Sequence, residues 1–91
     1  MMGTRVEYRD EAFRALRRMP KPTAERIMQK IDQLAEDRRS LANNVKILKG
    51  YDGIFRLRVG DWRVLYRDNI DCIQVLDVEP RGEAYKRKEV M

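Results

Sequence analysis

The sequence contains no histidine and a single cysteine, Cys72. Without histidine the usual proton shuttle at neutral pH is missing, and no Cys/His metal site can be assembled. One cysteine cannot close an internal disulfide, which fits a reducing compartment. No apolar run approaches the ~20 residues that cross a bilayer. The opening residues, MMGTRVEYRD, lack the apolar stretch of a secretion signal. There is no internal repeat and no low-complexity segment. A soluble, cytoplasmic protein with no membrane partner is expected.

What is present is charge. The 91 residues carry a formal net charge of +5 and a pI near 9.7. A small basic domain suits a polyanion such as nucleic acid or an acidic protein, although charge also serves solubility. With 43% hydrophobic residues the chain can fold, and its length allows one domain, residues 1–91, with a small core.

Hydrophobic periodicity divides the chain. Val6 and Tyr8 alternate with charged residues, which predicts a short strand over Arg5–Arg9. Asp10 is placed to cap a helix over about Glu11–Met19, with Ala12, Phe13, Leu16 and Met19 on its apolar stripe. Pro20 and Pro22 stop that helix and open another. The second has the clearest pattern: Ala24, Ile27, Met28, Ile31, Leu34 and Ala35 lie on one side. Ser40–Asn44 reads as a loop and Val45–Leu48 as an extended lead-in to the turn at Gly50–Gly53. Three strands follow, about Ile54–Val59, Trp62–Arg67 and Cys72–Val78, with connections short enough for antiparallel hairpins. Pro80 ends the last, and a short helix or turn is expected over Gly82–Lys88.

The hairpin FRLRVGDWRVLYRD has two unlike faces. A two-residue turn at Gly60-Asp61 sets Val59 against Trp62, Leu57 against Val64 and Phe55 against Tyr66 on the core side. The other side then pairs Arg58 with Arg63, Arg56 with Leu65 and Ile54 with Arg67. Like charges directly opposite each other are unfavourable, and a local rule broken without local gain marks a candidate site. Guanidinium groups match phosphate bidentately and stay charged; a solvated arginine face screened by salt is the bland alternative. An Asn69-Ile70 turn would set Arg63 against Leu76 and bring Arg81 and Tyr85 near the edge of this face. Tyrosine can exchange a proton if nearby cations lower its pKa, and arginine can stabilise a pentacoordinate phosphorus.

These stretches, LKGYDGIFRLRVGDWRVLYRD and VEPRGEAYKR, resemble the RelE/ParE superfamily of toxins from type II toxin–antitoxin systems. The resemblance covers nearly the whole chain and favours the RelE-like branch. It implies an α+β fold in the order β-α-α-β-β-β-α: an antiparallel sheet of about four strands, an N-terminal helical hairpin on one face and an open basic face on the other. It implies a ribosome-dependent, metal-independent mRNA endoribonuclease that needs no cofactor. The ribose 2′-hydroxyl attacks the adjacent phosphate, and translation is inhibited. Arg63 matches the arginine that stabilises the phosphate in the transition state. Arg81 matches one associated with leaving-group protonation or phosphate charge. Tyr85 matches the tyrosine that orients or activates the nucleophile. Arg56 and Arg58 match RNA-binding positions, and Lys49, Arg67, Lys86 and Arg87 are further basic residues expected to contact RNA. Many relatives carry histidine where this chain has Pro80. The partners implied are a cognate antitoxin, the ribosome and mRNA, with operator DNA reached only through the antitoxin. Two alternatives stay open: a ParE-like inhibitor of DNA gyrase, and a non-catalytic antitoxin-binding module.

Overall fold

A computed structural model describes residues 4–48, 50 and 52–81. The elements run β1 (Arg5–Tyr8), α1 (Asp10–Arg18), α2 (Lys21–Glu36), a kinked 3-10 segment (Arg38–Asn44), β2 (Val45–Ile47), β3 (Ile54–Val59), β4 (Trp62–Asp68) and β5 (Cys72–Pro80). The α+β architecture is as the sequence implies. The sheet has five strands rather than about four, in the order β1-β5-β4-β3-β2. It is also mixed, because β1 runs parallel to β5 while the other neighbours are antiparallel. The helical hairpin between β1 and the rest of the sheet is the crossover that a parallel pairing requires. The expected C-terminal helix or turn, Gly82–Lys88, lies outside the described residues.

Local chemistry explains the boundaries. Asp10 is the first helical residue of α1 rather than its cap; Arg9 occupies that position without a side-chain cap bond. Asp10 and Glu11 in the first turn and Arg17 and Arg18 in the last complement the helix dipole. Pro22 sits in the first turn of α2, where its missing N–H costs nothing. Met19 adopts extended backbone between the helices, as a residue before proline prefers.

The helices cover one face of the sheet. Ala12 and Leu16 of α1 and Ala24, Ile27, Ile31, Leu34 and Ala35 of α2 are buried against Leu57, Val59, Val64, Tyr66, Ile73, Val75 and Val78. Cys72 is a free, buried thiol. Phe13, expected on the apolar stripe of α1, is instead 53% exposed. At 100° per residue it stands well off the line through Ala12, Ala15, Leu16 and Met19.

One ion pair fastens the far end of the sheet. Arg38 donates from Nη2 to Asp68 Oδ1 at 2.8 Å and from Nε to Asp68 Oδ2. The same guanidinium reaches Thr4 Oγ1 at 3.2 Å and the Ile70 carbonyl at 2.9 Å. It thereby ties the 3-10 segment, the start of β1 and the β4–β5 turn together. The Arg38 hydrogen bonds hold the Asp68 carboxyl below its ordinary range. Among the described residues no helix is long and apolar enough to cross a membrane.

Candidate nucleic-acid interface

The β3–β4 hairpin has the register expected. Val59 pairs with Trp62, Arg58 with Arg63, Leu57 with Val64, Arg56 with Leu65, Phe55 with Tyr66 and Ile54 with Arg67. Gly60 makes the two-residue turn possible, with φ of 59° in the left-handed region that glycine enters without penalty. Phe55 and Tyr66 stack at 5.5 Å on the core side. Burial there pushes the Tyr66 hydroxyl up to about 12, with the Asp68 charge adding to it. Tyr8 is likewise pushed up to about 12, first by burial and then by Asp32.

The β4–β5 register differs from expectation by three residues: Arg63 faces Glu79, not Leu76. Two local features cause the shift. The turn between the strands spans Asn69–Asp71, with Ile70 at a φ of 71° and Asn69 N–H bonded to the Cys72 carbonyl at 2.9 Å. A bulge then shifts the register between Leu65 and Tyr66, leaving Leu76 without an opposite residue. As a result β5 brings carboxylates to the face away from the helices. One row across the strands reads Arg58, Arg63, Glu79, and the next reads Lys46, Arg56, Leu65, Asp77.

This face is therefore charge-mixed rather than uniformly basic, and only partly open. Arg58 and Lys46 are exposed and Arg56 is half-buried, while Arg63, Leu65, Asp77 and Glu79 are buried. Arg63 is 8% exposed. Its Nη1 donates to the Gly60 carbonyl at 3.2 Å and to the Trp62 carbonyl at 3.0 Å. The guanidinium thus caps the hairpin tip. Asp77 Oδ1 accepts the backbone N–H of Val78 at 2.8 Å. Arg81 is exposed, and its N–H donates to the Asp61 carbonyl at 2.9 Å. Arg58, Arg63 and Arg81 accordingly gather at the hairpin-tip end of the sheet. Arg67 lies at the opposite end, four residues or about 13 Å along β4, where Nη1 donates to the Asp52 carbonyl at 3.2 Å. Lys49, Tyr85, Lys86 and Arg87 lie outside the described residues.

Lys46 was missed because Val45–Leu48 read as a lead-in, yet V-K-I alternates as a strand should. Glu79 and Asp77 were missed because the bulge was. Beside this face, a groove of about 490 Å³ runs between α1 and the end of β5, lined by Met19, Pro20, Trp62 and Val78 and by charges of both signs, Arg14 and Arg18 with Glu11, Asp77 and Glu79. Among the described residues no group of three or more His, Cys, Asp and Glu side chains is placed to hold a metal ion.

Comparison with known proteins decides the family. The sequence model described as "ParE toxin of type II toxin-antitoxin system, parDE" matches residues 6–85. The chain belongs to this toxin family. No match was found among curated proteins. The fold is similar to that of RelE in the archaeal RelE–RelB complex from Pyrococcus horikoshii, with 29% identity, a TM-score of 0.71, and coverage of 89% of this chain and 98% of that one. It is similar to the RelBE2 toxin–antitoxin complex of Mycobacterium tuberculosis, with 24% identity, a TM-score of 0.71 and coverage of 90% and 95%. The isolated Escherichia coli RelE toxin gives 16% identity, a TM-score of 0.67 and coverage of 97% and 99%. The toxin thus has a RelE-like fold with one more strand than its sequence led us to count.

Proposed function

We propose that this toxin cuts mRNA on the ribosome, in the cytoplasm, by driving a ribose 2′-hydroxyl onto the adjacent phosphorus. A new 2′-O–P bond forms and the P–O5′ bond breaks, leaving a 2′,3′-cyclic phosphate and a 5′-hydroxyl. The observation that carries the reading is the gathering of Arg58, Arg63 and Arg81 at one end of the sheet. The exposed guanidiniums of Arg58 and Arg81 would bind the scissile phosphate, with Arg56 and Lys46 tracking the backbone of the strand. Arg63 would contribute its fixed positive charge from beneath the surface while its Nη1 holds the tip in shape. Tyr85 is the residue proposed to orient or activate the nucleophile. The likeness to a RelE at 29% identity supports this branch.

The proposed partner in the resting state is an antitoxin encoded beside this protein. The groove between α1 and β5 combines apolar residues, Met19, Pro20, Trp62 and Val78, with charges of both signs, Arg14 and Arg18 alongside Glu11, Asp77 and Glu79, a lining that suits an amphipathic segment of such a protein. Operator DNA would be met only through it.

A second reading, inhibition of DNA gyrase, is favoured by the family match and by Pro80 standing where many nuclease relatives have histidine. Mapping of 5′ RNA ends shortly after induction separates the two. New ends inside codons, lost in Arg58→Ala and Arg81→Ala, are expected. Growth arrest with intact mRNA and blocked supercoiling would replace this reading with the second.

A further inference from the structure

Helix α1 carries a second basic surface, on the side of the sheet opposite Arg58. Arg14, Arg17 and Arg18 are all exposed and border a shallow, open hollow of about 300 Å³ lined by these three residues. They stand at i, i+3 and i+4, so the second and third each lie one turn from the first. Arg14 has Asp10 and Glu11 a turn earlier; Arg17 and Arg18 have no acidic residue at helical spacing in either direction. The Arg5–Glu7 and Arg38–Asp68 ion pairs involve none of the three. Beside them Phe13 exposes its ring, and the Arg17 guanidinium lies 5.8 Å from the ring centroid.

The helix dipole accounts for cations in the last turn of α1. It accounts neither for Arg14, a turn earlier, nor for a large aromatic ring kept in water where the core has no use for it. Mutual repulsion of three neighbouring guanidiniums is relieved by bound anions, and the planar fork of arginine favours phosphate. Arg14 and Arg18 also line the groove proposed for the antitoxin, but the hollow they share with Arg17 is lined by arginine alone, and the exposed Phe13 ring beside the Arg17 guanidinium is a platform for a nucleobase.

We infer that the outward face of α1 is a phosphate-backbone site for RNA, with Phe13 stacking on an unpaired base, distinct from the surface that carries Arg58. The inference rests on the RNA reading of this toxin and extends it. The two surfaces lie on opposite sides of the sheet, so a single RNA strand threading the cleavage face would not meet both. The ligand is structured RNA that reaches round the protein.

The test is binding of the full-length protein to a fluorescent RNA hairpin with an unpaired loop, followed by anisotropy as a function of salt. Each phosphate neutralised contributes about 0.7–0.9 to the slope of log K against log salt. The Arg14→Gln/Arg17→Gln/Arg18→Gln variant should therefore lose about 2–3 units of slope and, near physiological salt, roughly 10- to 100-fold in affinity. Phe13→Ala should lose about fivefold or more with the looped hairpin and little with a blunt duplex. All four residues are exposed, so melting temperatures should match the parent, which separates loss of binding from loss of fold. An unchanged slope in the triple variant overturns the inference. Full RNA affinity with loss only of binding to a poly-glutamate peptide also overturns it and assigns the surface to an acidic protein. Cleavage in cells that depends on Arg58 but is indifferent to the α1 triple, together with an unchanged slope, would leave the nuclease reading standing and this one refuted.

Discussion

Replacing Arg58 by threonine should stabilise the free toxin while weakening its action. Arg58 is exposed and directly opposite Arg63. In a two-residue hairpin Val59/Trp62 is the hydrogen-bonded closing pair, so Arg58/Arg63 is the non-hydrogen-bonded pair, in which side chains approach most closely. Arg63 cannot swing away without giving up the Gly60 and Trp62 carbonyls. Glu79 on its other flank offsets part of the repulsion. On the cross-strand scale of about 0.2–1 kcal/mol, the lower half applies, about 0.2–0.5 kcal/mol. For a domain of this size that corresponds to a rise in melting temperature of ~1–4 °C. Thermal unfolding followed by circular dichroism at low salt should show the rise, and salt of about 1 M, with a Debye length near 3 Å, should abolish it. Arg58→Lys keeps the charge and should show no rise. Cutting of mRNA by the threonine variant should fall about tenfold, the worth of one charge-assisted contact of ~1.4 kcal/mol. A threonine variant that melts below the parent at low salt, or a lysine variant that gains as much, would refute the reasoning.

Ile31 is fully buried between α2 and the sheet, so Ile31→Ala should cost about 2–5 kcal/mol in urea denaturation. Asp68→Asn should cost about 1–2 kcal/mol, discounted because the Arg38 side chain is 35% exposed. The folded pKa of Asp68 is lowered. That stabilisation is therefore complete above the ordinary aspartate value and is lost as pH falls through the lower folded one. Denaturation curves of the two proteins should converge only in acid, below about pH 4. Gly60→Ala should cost about 1 kcal/mol and Gly60→Asn less, because asparagine tolerates the left-handed region, as chemical denaturation can measure. Tyr8 and Tyr66, both raised to about 12, should stay protonated through pH 11 in an ultraviolet titration of the folded protein. Their contribution to stability is present below about pH 10 and lost as pH rises towards 12.

The parts of the fold that could be read from sequence are those whose signals are local. Gly60-Asp61 between two alternating runs fixes turn length, and with it the residue pairs of the hairpin, including Arg58 with Arg63. The stripe from Ala24 to Ala35 is equally self-contained. The parallel pairing of β1 with β5 joins residues more than sixty apart in the chain and has no local signature. The β5 register went astray on a feature that does leave a trace. Gln74 and Asp77 share a face although they stand an odd three positions apart, and a polar alternation that changes phase within a strand marks a bulge. Phe13 shows the opposite error: an apolar residue next to a stripe was counted as part of it. Of the site, the arginines on β3 and β4 were legible from alternation. The carboxylates beside them depended on the register, and so did the finding that Arg63 serves the hairpin tip.

That last point separates two halves of the proposed reaction. Binding and stabilising a phosphate needs permanent positive charge, which Arg58 and Arg81 present to solvent and Arg63 supplies from below. Moving a proton needs a group that changes protonation state near neutral pH, which arginine does not do. Tyr8 and Tyr66 point into the core, with hydroxyls raised to about 12. Asp77 Oδ1 accepts the Val78 N–H, and Glu79, opposite Arg63, is 4% exposed. In the proposed reaction the second half would fall to Tyr85 or to groups that surround the bound message on the ribosome. On the proposed reading, free RNA should bind with a steep salt dependence yet stay intact, and cutting should begin only when the message is presented in a setting that supplies the proton transfer.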